Sequence, residues 1–208
     1  MIKAVLFDLD GVLLDSEDVN MAAGVRAFSD IGIKLSASER KSIIGRHPAD
    51  YDKVFKYRFD KKKMVKLHHK YYGMWYNRSK PFPHARNLVL ALKKKYELAL
   101  VTAAEMSIVR RALKILKLQG AFDCFVTFED EKTRKPAPDA YLLAAKRLHV
   151  KPSECIVIED STVGVEAAKR AKMKCIAVLN SFPASKLKKA DLVAKNLNDK
   201  RVLKYVGL

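Results

Sequence analysis

The N-terminal sequence places two aspartates, Asp8 and Asp10, one residue apart directly after the apolar segment Ala4–Phe7. On an extended chain, side chains at positions i and i+2 project to the same side, so the two carboxylates face a common space. Like charges held close together repel and raise each other's pKa. A bound cation would offset that repulsion, and the pair therefore indicates a cation site.

Three further segments carry polar residues at the end of a strand-like run or at the start of the following helix. They contain Thr102, Lys135 and the sequence Glu159-Asp160-Ser161. Taken singly, Thr102 and Ser161 could be helix caps, Glu159 and Asp160 loop acids, and Lys135 a solvated lysine. In an open parallel sheet, however, ligands bind outside the carboxyl ends of the strands. Together these residues supply carboxylates, an amine and a hydroxyl, a set that suits a hard cation and a phosphate.

The elements that would position these residues alternate along the chain. Short apolar runs rich in β-branched residues predict strands over Ala4–Phe7, Leu98–Thr102, Cys124–Thr127, Cys155–Glu159 and Cys175–Leu179. Helical periodicity predicts helices over Arg86–Lys95, Glu105–Leu118, Asp139–Leu148 and Val163–Ala171. This alternation predicts βαβ units, and hence an α/β fold with a Rossmann-like, doubly wound parallel sheet and helices on both faces.

Residues 16–80 break the alternation. They show helix-like periods, for example over Val19–Ile31, but no clear strand, and the proline-rich Lys80–His84 marks the return to the α/β pattern. We therefore expect an α-helical cap domain, 16–80, inserted into an α/β core domain formed by 1–15 and 81–208. Three histidines of the insert have no nearby acid pair and are expected at the surface rather than as ligands: His47, His68 and His69.

The composition excludes several classes of protein. With 49% hydrophobic and 31% charged residues, the chain is typical of a globular protein. No apolar run approaches the ~20 residues that cross a bilayer, and the N-terminus does not resemble a secretory signal, so we expect a cytoplasmic protein without membrane contact. Its 3 cysteines lack CxxC spacing and indicate neither a disulfide framework nor a zinc site.

The net charge of +18 favours anionic partners. The lysines are scattered in short runs, such as 61–63, 93–95 and 186–189. None of these runs has the interleaved aromatic residues of a single-strand nucleic-acid groove. We interpret them as solvated surface that steers anionic ligands, with a basic nucleic-acid-binding protein as a remote alternative.

Three sequence strings resemble motifs of the haloacid dehalogenase (HAD) superfamily, in the branch with a helical cap inserted after the first motif. DLDGV at 8–12 matches the first motif, KPAPD at 135–139 the third, and IEDSTVGVEAA at 158–168 the fourth. They occur in the family's order and spacing. The resemblance covers roughly residues 1–15 and 81–195 and is only topological over the cap.

The resemblance implies phosphoryl transfer through a covalent intermediate on Asp8, which would attack phosphorus as the nucleophile. Asp10 would protonate the leaving alcohol and then take a proton from the attacking water. Lys135 would offset the charge that develops on the phosphoryl group. Because haloacid dehalogenases need neither an acid nor Mg²⁺, Asp10 favours phosphoryl transfer over dehalogenation.

The resemblance also implies a Mg²⁺ site and a phosphate site. Mg²⁺ would be held by Asp8, the main-chain carbonyl of Asp10, Asp160 and the nearby Glu159. The phosphate would be bound by Thr102, Ala103, Lys135 and Arg46. Two core positions depart from the family pattern. Ala103 replaces the common Asn or Ser and removes a side-chain contact, and Pro83-His84-Ala85 replaces Pro-Gly-Val.

Two enzymatic functions fit these motifs. The first is a Mg²⁺-dependent phosphatase that hydrolyses a small phosphomonoester such as a sugar phosphate. The alternative is a phosphosugar mutase similar to β-phosphoglucomutase. The cap weakens the mutase interpretation, because Asn20 stands where that mutase carries a histidine. Pro48 falls near the position of its cap arginine, for which Arg46 is close enough to substitute.

Overall fold

The computed structural model describes residues 1–44, 47–55, 59–130 and 132–208. The chain forms two compact units, one made of residues 1–15 and 81–208 and the other of residues 16–80. Across these described ranges, no helix combines the length and apolar character that crossing a membrane requires.

In chain order the strands are β1 (Ala4–Phe7), β2 (Leu14–Asp15), β3 (Lys80–Pro81), β4 (Glu97–Val101), β5 (Cys124–Val126), β6 (Cys155–Glu159), β7 (Lys174–Val178) and β8 (Leu192–Ala194). Six of these strands form a parallel sheet at the centre of the larger unit, in the order β5-β4-β1-β6-β7-β8. The predicted α/β class and the five predicted strands are confirmed, with shifts of one residue at some ends. Strand β8 was not predicted, because it is a three-residue edge strand that is only partly buried.

Strand β1 lies at the centre of the sheet, and each of its residues is fully buried. Val5 pairs with Leu98 of β4 on one side and with Ile156 of β6 on the other. Strands covered on both faces read as continuous apolar runs, which explains the sequence of Ala4–Phe7. The chain extends the sheet from β1 toward β5 and then from β6 toward β8. The strand order therefore reverses between β1 and β6, the place where doubly wound sheets bind ligands.

The helices, in chain order, are α1 (Glu17–Asp30), α2 (Ala37–Ser42), α3 (Lys61–Trp75), α4 (Ala85–Lys93), α5 (Met106–Leu116), α6 (Asp139–Arg147), α7 (Thr162–Arg170) and α8 (Lys200–Tyr205). The helices α6 and α7 pack on the sheet through small side chains such as Ala144 and Ala168, which are fully buried in one cluster with Leu6 and Val157. Small side chains let a helix approach the sheet closely. Both helices follow loops that carry candidate site residues, so this packing fixes those loops.

Residues 16–80 have a hydrophobic core of their own around Phe28. Its ring stacks on Tyr51 at 5.6 Å and meets Phe55 edge-on at 4.9 Å. His68 belongs to the buried face of α3, together with Met64 and Tyr71, at helical spacing. The expectation of a surface histidine is therefore wrong for His68, which is only 3% exposed.

The environment of His68 keeps its imidazole neutral. Its ring stacks on Tyr72 at 5.8 Å, and its Nε2 lies 3.3 Å from the main-chain carbonyl of Asn20. Burial, reinforced by the positive charge of His69, lowers the pKa of His68 to about 4. Protonation of this ring would place an uncompensated charge inside the smaller unit.

Candidate active site

Asp8 lies where the strand order reverses. Its main-chain N–H extends the pairing of β1 with β6 by donating to the carbonyl of Ile158 at 3.0 Å, and its side chain is buried. Asp160 follows β6 directly and is also buried. Because β1 and β6 are parallel neighbours, with Phe7 opposite Ile158, their carboxyl ends carry both aspartates to the same edge of the sheet.

The turn after Asp8 depends on Gly11. This residue has a φ of +85°, in the left-handed region that favours glycine. A Cβ atom at this position would also lie 2.0 Å from Asp160 Oδ2, so the backbone approaches that carboxylate more closely than any side chain would allow. The turn keeps Asp10 close enough to Asp8 for its charge to contribute to the raised pKa of Asp8.

Lys135 is fixed between two carboxylates. Its Nζ donates to Asp8 Oδ1 at 2.6 Å and to Glu159 Oε1 at 2.8 Å, and its side chain is 10% exposed. The same ammonium group lies 4.8 Å from the centre of the Tyr141 ring, a cation–π distance. The interpretation of Lys135 as a solvated lysine is therefore wrong.

Both oxygens of the Glu159 carboxylate are saturated by hydrogen bonds. Oε1 accepts from Lys135 Nζ and from Tyr141 Oη, each at 2.8 Å. Oε2 accepts from the Asp160 N–H at 2.9 Å, and from the N–H and the hydroxyl of Ser161 at 3.0 Å each. In this arrangement Glu159 orients Lys135 and the turn into α7. That role differs from the metal-ligand role expected from the sequence.

The start of α7 provides the space for this carboxylate. Ser161 Oγ accepts from the N–H of Gly164 at 3.0 Å, so the structural interpretation of Ser161 as a helix cap is confirmed. A Cβ atom on Gly164 would lie 1.7 Å from Glu159 Oε1. Glycine at this position therefore lets the carboxylate lie against the first turn of the helix.

The four ionisable groups shift one another's pKa. Burial raises the pKa of Asp8 to about 7, and Glu159 and Asp10 add to this against the opposing effect of Lys135. Burial, together with the charges of Glu159 and Asp8, raises the pKa of Asp160 well above its usual value. Burial also disfavours the charged forms of Glu159 and Lys135. Their ion pair and hydrogen bonds outweigh this effect, so the pKa of Glu159 is lowered and that of Lys135 is raised.

The remaining carboxylate oxygens fit a divalent cation. Among the described residues, Asp8 Oδ2 and Asp160 Oδ1 have no hydrogen-bond donor. A cation would offset both the burial and the neighbouring negative charges that raise the pKa of the two groups. No group of three or more His, Cys, Asp or Glu side chains in the described ranges is placed to hold a metal. That is compatible with Mg²⁺, which usually takes one or two carboxylates and completes its shell with water and substrate phosphate.

Thr102 and Ala103 lie at the carboxyl end of β4, the other neighbour of β1 in the sheet. Thr102 is buried, and its Oγ1 accepts from the Ala104 N–H at 3.1 Å. Its hydroxyl proton has no acceptor among the described residues. Ala103 is exposed and offers only main-chain groups. The remaining predicted phosphate-binding residue, Arg46, lies outside the described residues.

Two residues that the sequence did not indicate follow β7. Ser181 Oγ donates to Asp160 Oδ2, and Asn180 Nδ2 donates to the carbonyl of Gly11 at 2.7 Å. Tyr141, also missed, contacts both Glu159 and Lys135. The signal for Asn180 and Ser181 was present, since they are polar residues at the end of a predicted strand.

Comparison with known proteins gives relatives along most of the chain. It is 35% identical over 205 residues to Protein SUPPRESSOR OF QUENCHING 1, chloroplastic, of Arabidopsis thaliana, covering 91% of this chain but only 19% of that protein. It is 30% identical to a validoxylamine A 7'-phosphate phosphatase of Streptomyces hygroscopicus, covering 97% of each chain. It is also 30% identical to a fructose-1-phosphate phosphatase of Escherichia coli, over 84% of this chain and 95% of that protein.

A similar solved structure is the β-phosphoglucomutase of Clostridium difficile. The two chains are 28% identical, with a TM-score of 0.83 over 100% of this chain and 96% of that one. The profile of the haloacid dehalogenase-like hydrolase family matches residues 5–178, which include Asp8, Lys135 and Asp160. The chain therefore belongs to the haloacid dehalogenase-like hydrolases.

Proposed function

We propose that the protein is a Mg²⁺-dependent phosphatase that hydrolyses a small phosphomonoester through an aspartyl-phosphate intermediate on Asp8. The observation that carries the proposal is the buried contact of Lys135 with Asp8, beside Asp160, at the reversal of the sheet. Relatives named for fructose 1-phosphate and validoxylamine A 7'-phosphate support a sugar-like phosphate ester as substrate.

The first step of the proposed reaction transfers the phosphoryl group to the enzyme. A carboxylate oxygen of Asp8 forms a bond to phosphorus while the bond from phosphorus to the ester oxygen breaks. Asp10, in its protonated form, gives its proton to the departing alkoxide, and the alcohol leaves. The products of this step are an aspartyl-phosphate and an ionised Asp10.

The second step hydrolyses the intermediate. The Asp10 carboxylate takes a proton from a water molecule as the water oxygen bonds to phosphorus. The bond between phosphorus and the Asp8 oxygen breaks, which releases inorganic phosphate. Asp8 is again a carboxylate and Asp10 is again protonated, so the cycle closes without another reactant.

The remaining groups stabilise charge on the transferring phosphoryl group. The Lys135 ammonium is held by Asp8 and Glu159. There it would lie beside the attacked phosphorus and offset the negative charge of the transferring group. The Thr102 hydroxyl and the main-chain N–H of Ala103 donate to phosphate oxygens. A Mg²⁺ ion held by Asp8, Asp160 and the Asp10 carbonyl would act as a Lewis acid on a phosphoryl oxygen.

The similarity to β-phosphoglucomutase supports one alternative, in which the phosphoryl group returns from Asp8 to a sugar hydroxyl instead of to water. Product analysis separates the two reactions, because a phosphatase releases inorganic phosphate in step with substrate loss. A mutase leaves the phosphate on the sugar. We favour the phosphatase, since Asn20 replaces the histidine of the mutase cap.

The test is a screen of phosphate esters, including hexose and pentose phosphates, with phosphate release measured in Mg²⁺ and in EDTA. We expect release in Mg²⁺ only, and its loss in the Asp8→Asn variant. The Asp18→Asn variant, which changes an exposed aspartate, is the matched control and should retain wild-type turnover. Equal turnover by Asp8→Asn and the wild type would refute the aspartyl-phosphate mechanism. Isomerised sugar phosphate without phosphate release would establish the mutase.

A further inference from the structure

The loop after β7 contacts the candidate site at two points. Ser181 Oγ donates a hydrogen bond to Asp160 Oδ2. The preceding residue, Asn180, donates from Nδ2 to the carbonyl of Gly11 at 2.7 Å. Two consecutive side chains therefore hold one carboxylate proposed to bind a cation and the turn that carries Asp10.

Ser181 is the one described residue whose side chain bonds to the Asp160 carboxylate. The terminal torsion of an aspartate is broad, so a carboxylate without such a bond can rotate about its Cβ–Cγ bond. Gly11 closes the other side, because a Cβ atom there would lie 2.0 Å from Asp160 Oδ2 and 2.9 Å from Ser181 Oγ. The hydroxyl, the carboxylate and the glycine backbone are thus in close contact.

We infer that Ser181 is a positioning residue for the cation site: its hydroxyl holds Oδ2 of Asp160 and leaves Oδ1 for the cation. Asn180 supports this role, because its bond to Gly11 fixes the loop that carries the hydroxyl. The inference rests on the proposed function, since it assigns Asp160 to a Mg²⁺ ion.

The opposite arrangement makes a different prediction. If the cation needed Oδ2, the Ser181 hydroxyl would compete with it, and removal of the hydroxyl would tighten Mg²⁺ binding. If Ser181 orients the carboxylate, its removal weakens binding. Loss of a hydrogen-bond partner to a metal ligand typically costs about 10-fold to 100-fold in metal affinity.

The test measures Mg²⁺ binding to the metal-stripped protein by titration calorimetry, without substrate. Ser181→Ala removes the hydroxyl, and Ser181→Thr keeps it. Ser185→Ala removes an exposed hydroxyl four residues further along, in the short 3-10 helix Ala184–Lys186 that follows the loop, and is the matched control. We expect the Mg²⁺ dissociation constant to rise about 10-fold in Ser181→Ala and to stay near the wild-type value in the other two variants.

Unchanged or tighter Mg²⁺ binding in Ser181→Ala would overturn the inference, and so would equal weakening in Ser185→Ala. If Ser181→Ala fails to fold by circular dichroism, Ser181→Cys replaces it as a near-isosteric variant with a weaker donor, for which weakened binding is again required. The proposed function fails separately: in that case the wild type neither binds Mg²⁺ nor releases phosphate from any ester.

Discussion

Replacement of the proposed nucleophile by its amide should stabilise the metal-free protein. The pKa of Asp8 is raised from 3.8 to about 7, chiefly by burial. A group whose pKa is higher in the folded state favours folding below its unfolded pKa, and that contribution is lost as the pH rises through the folded pKa. Relative to a side chain that never ionises, Asp8 therefore lowers the free energy of unfolding by on the order of 4 kcal/mol at pH 8, where it is ionised in both states. At pH 5 the difference is about 2 kcal/mol, because the carboxyl is ionised in the unfolded chain but protonated in the fold.

In the Asp8→Asn variant the side chain at position 8 is uncharged at every pH and still offers an oxygen to Lys135. For a chain of this length, 1 kcal/mol shifts the melting temperature by about 2–4 °C. In EDTA, we expect the melting temperature of the variant to exceed that of the wild type by about 8–16 °C at pH 8. At pH 5 we expect roughly half that difference. Thermal unfolding followed by circular dichroism measures both. Asp18→Asn should show no comparable gain at either pH. A variant no more stable than the wild type at pH 8 would refute this account of the site's electrostatics.

Three further predictions concern other groups. Tyr141→Phe keeps the ring beside Lys135 but removes the hydrogen bond to Glu159, so we expect kcat to fall several-fold with KM nearly unchanged, and a wild-type kcat would contradict this. Turnover should stop in EDTA and return with Mg²⁺. Ca²⁺ should inhibit it, because Ca²⁺ prefers more ligands at longer distances than Mg²⁺. Full activity in EDTA would exclude a required cation. Folding lowers the pKa of His68 to about 4, so the neutral ring contributes on the order of 3 kcal/mol to the free energy of unfolding above about pH 6.5. This contribution is lost as the pH falls from about 6.5 to about 4. Acid titrations of the wild type and of His68→Phe should diverge over that range, and parallel curves would refute the role of His68.

The sequence allowed the strand ends to be located because each buried strand reads as an apolar run that stops at a polar residue. Asp8, Thr102 and Asp160 were placed correctly in this way, since the parallel sheet brings such ends to one edge. The edge strand β8 was not found in this way, because it has three residues, of which only Ala194 is fully buried, and these carry little pattern.

The hydrogen-bond partners of the site residues were harder to predict from the sequence. The string Glu159-Asp160 suggests two equivalent acids, yet one points to Lys135 and Tyr141 while the other bonds to Ser181. Successive residues of a strand point to opposite faces of the sheet. The sequence does not show which face the Lys135 ammonium occupies, because that depends on the path of the loop that carries Lys135. The burial of His68 was missed for a related reason, because only tertiary packing shows which face of α3 is covered.

The position of β1 at the centre of the sheet has a consequence for biosynthesis. Its partner β6 is synthesised about 150 residues later, which at about 5–20 residues per second corresponds to about 8–30 s. Until β4 is made, β1 lacks both neighbours, and until β6 is made it lacks one, so an apolar strand is exposed to chaperones or to aggregation during this interval. The segment 16–80, whose core is contiguous in sequence, can collapse much earlier. Asp8 and Asp160 meet only when β6 joins the sheet, so the repulsion between their carboxylates acts from that stage of folding onward.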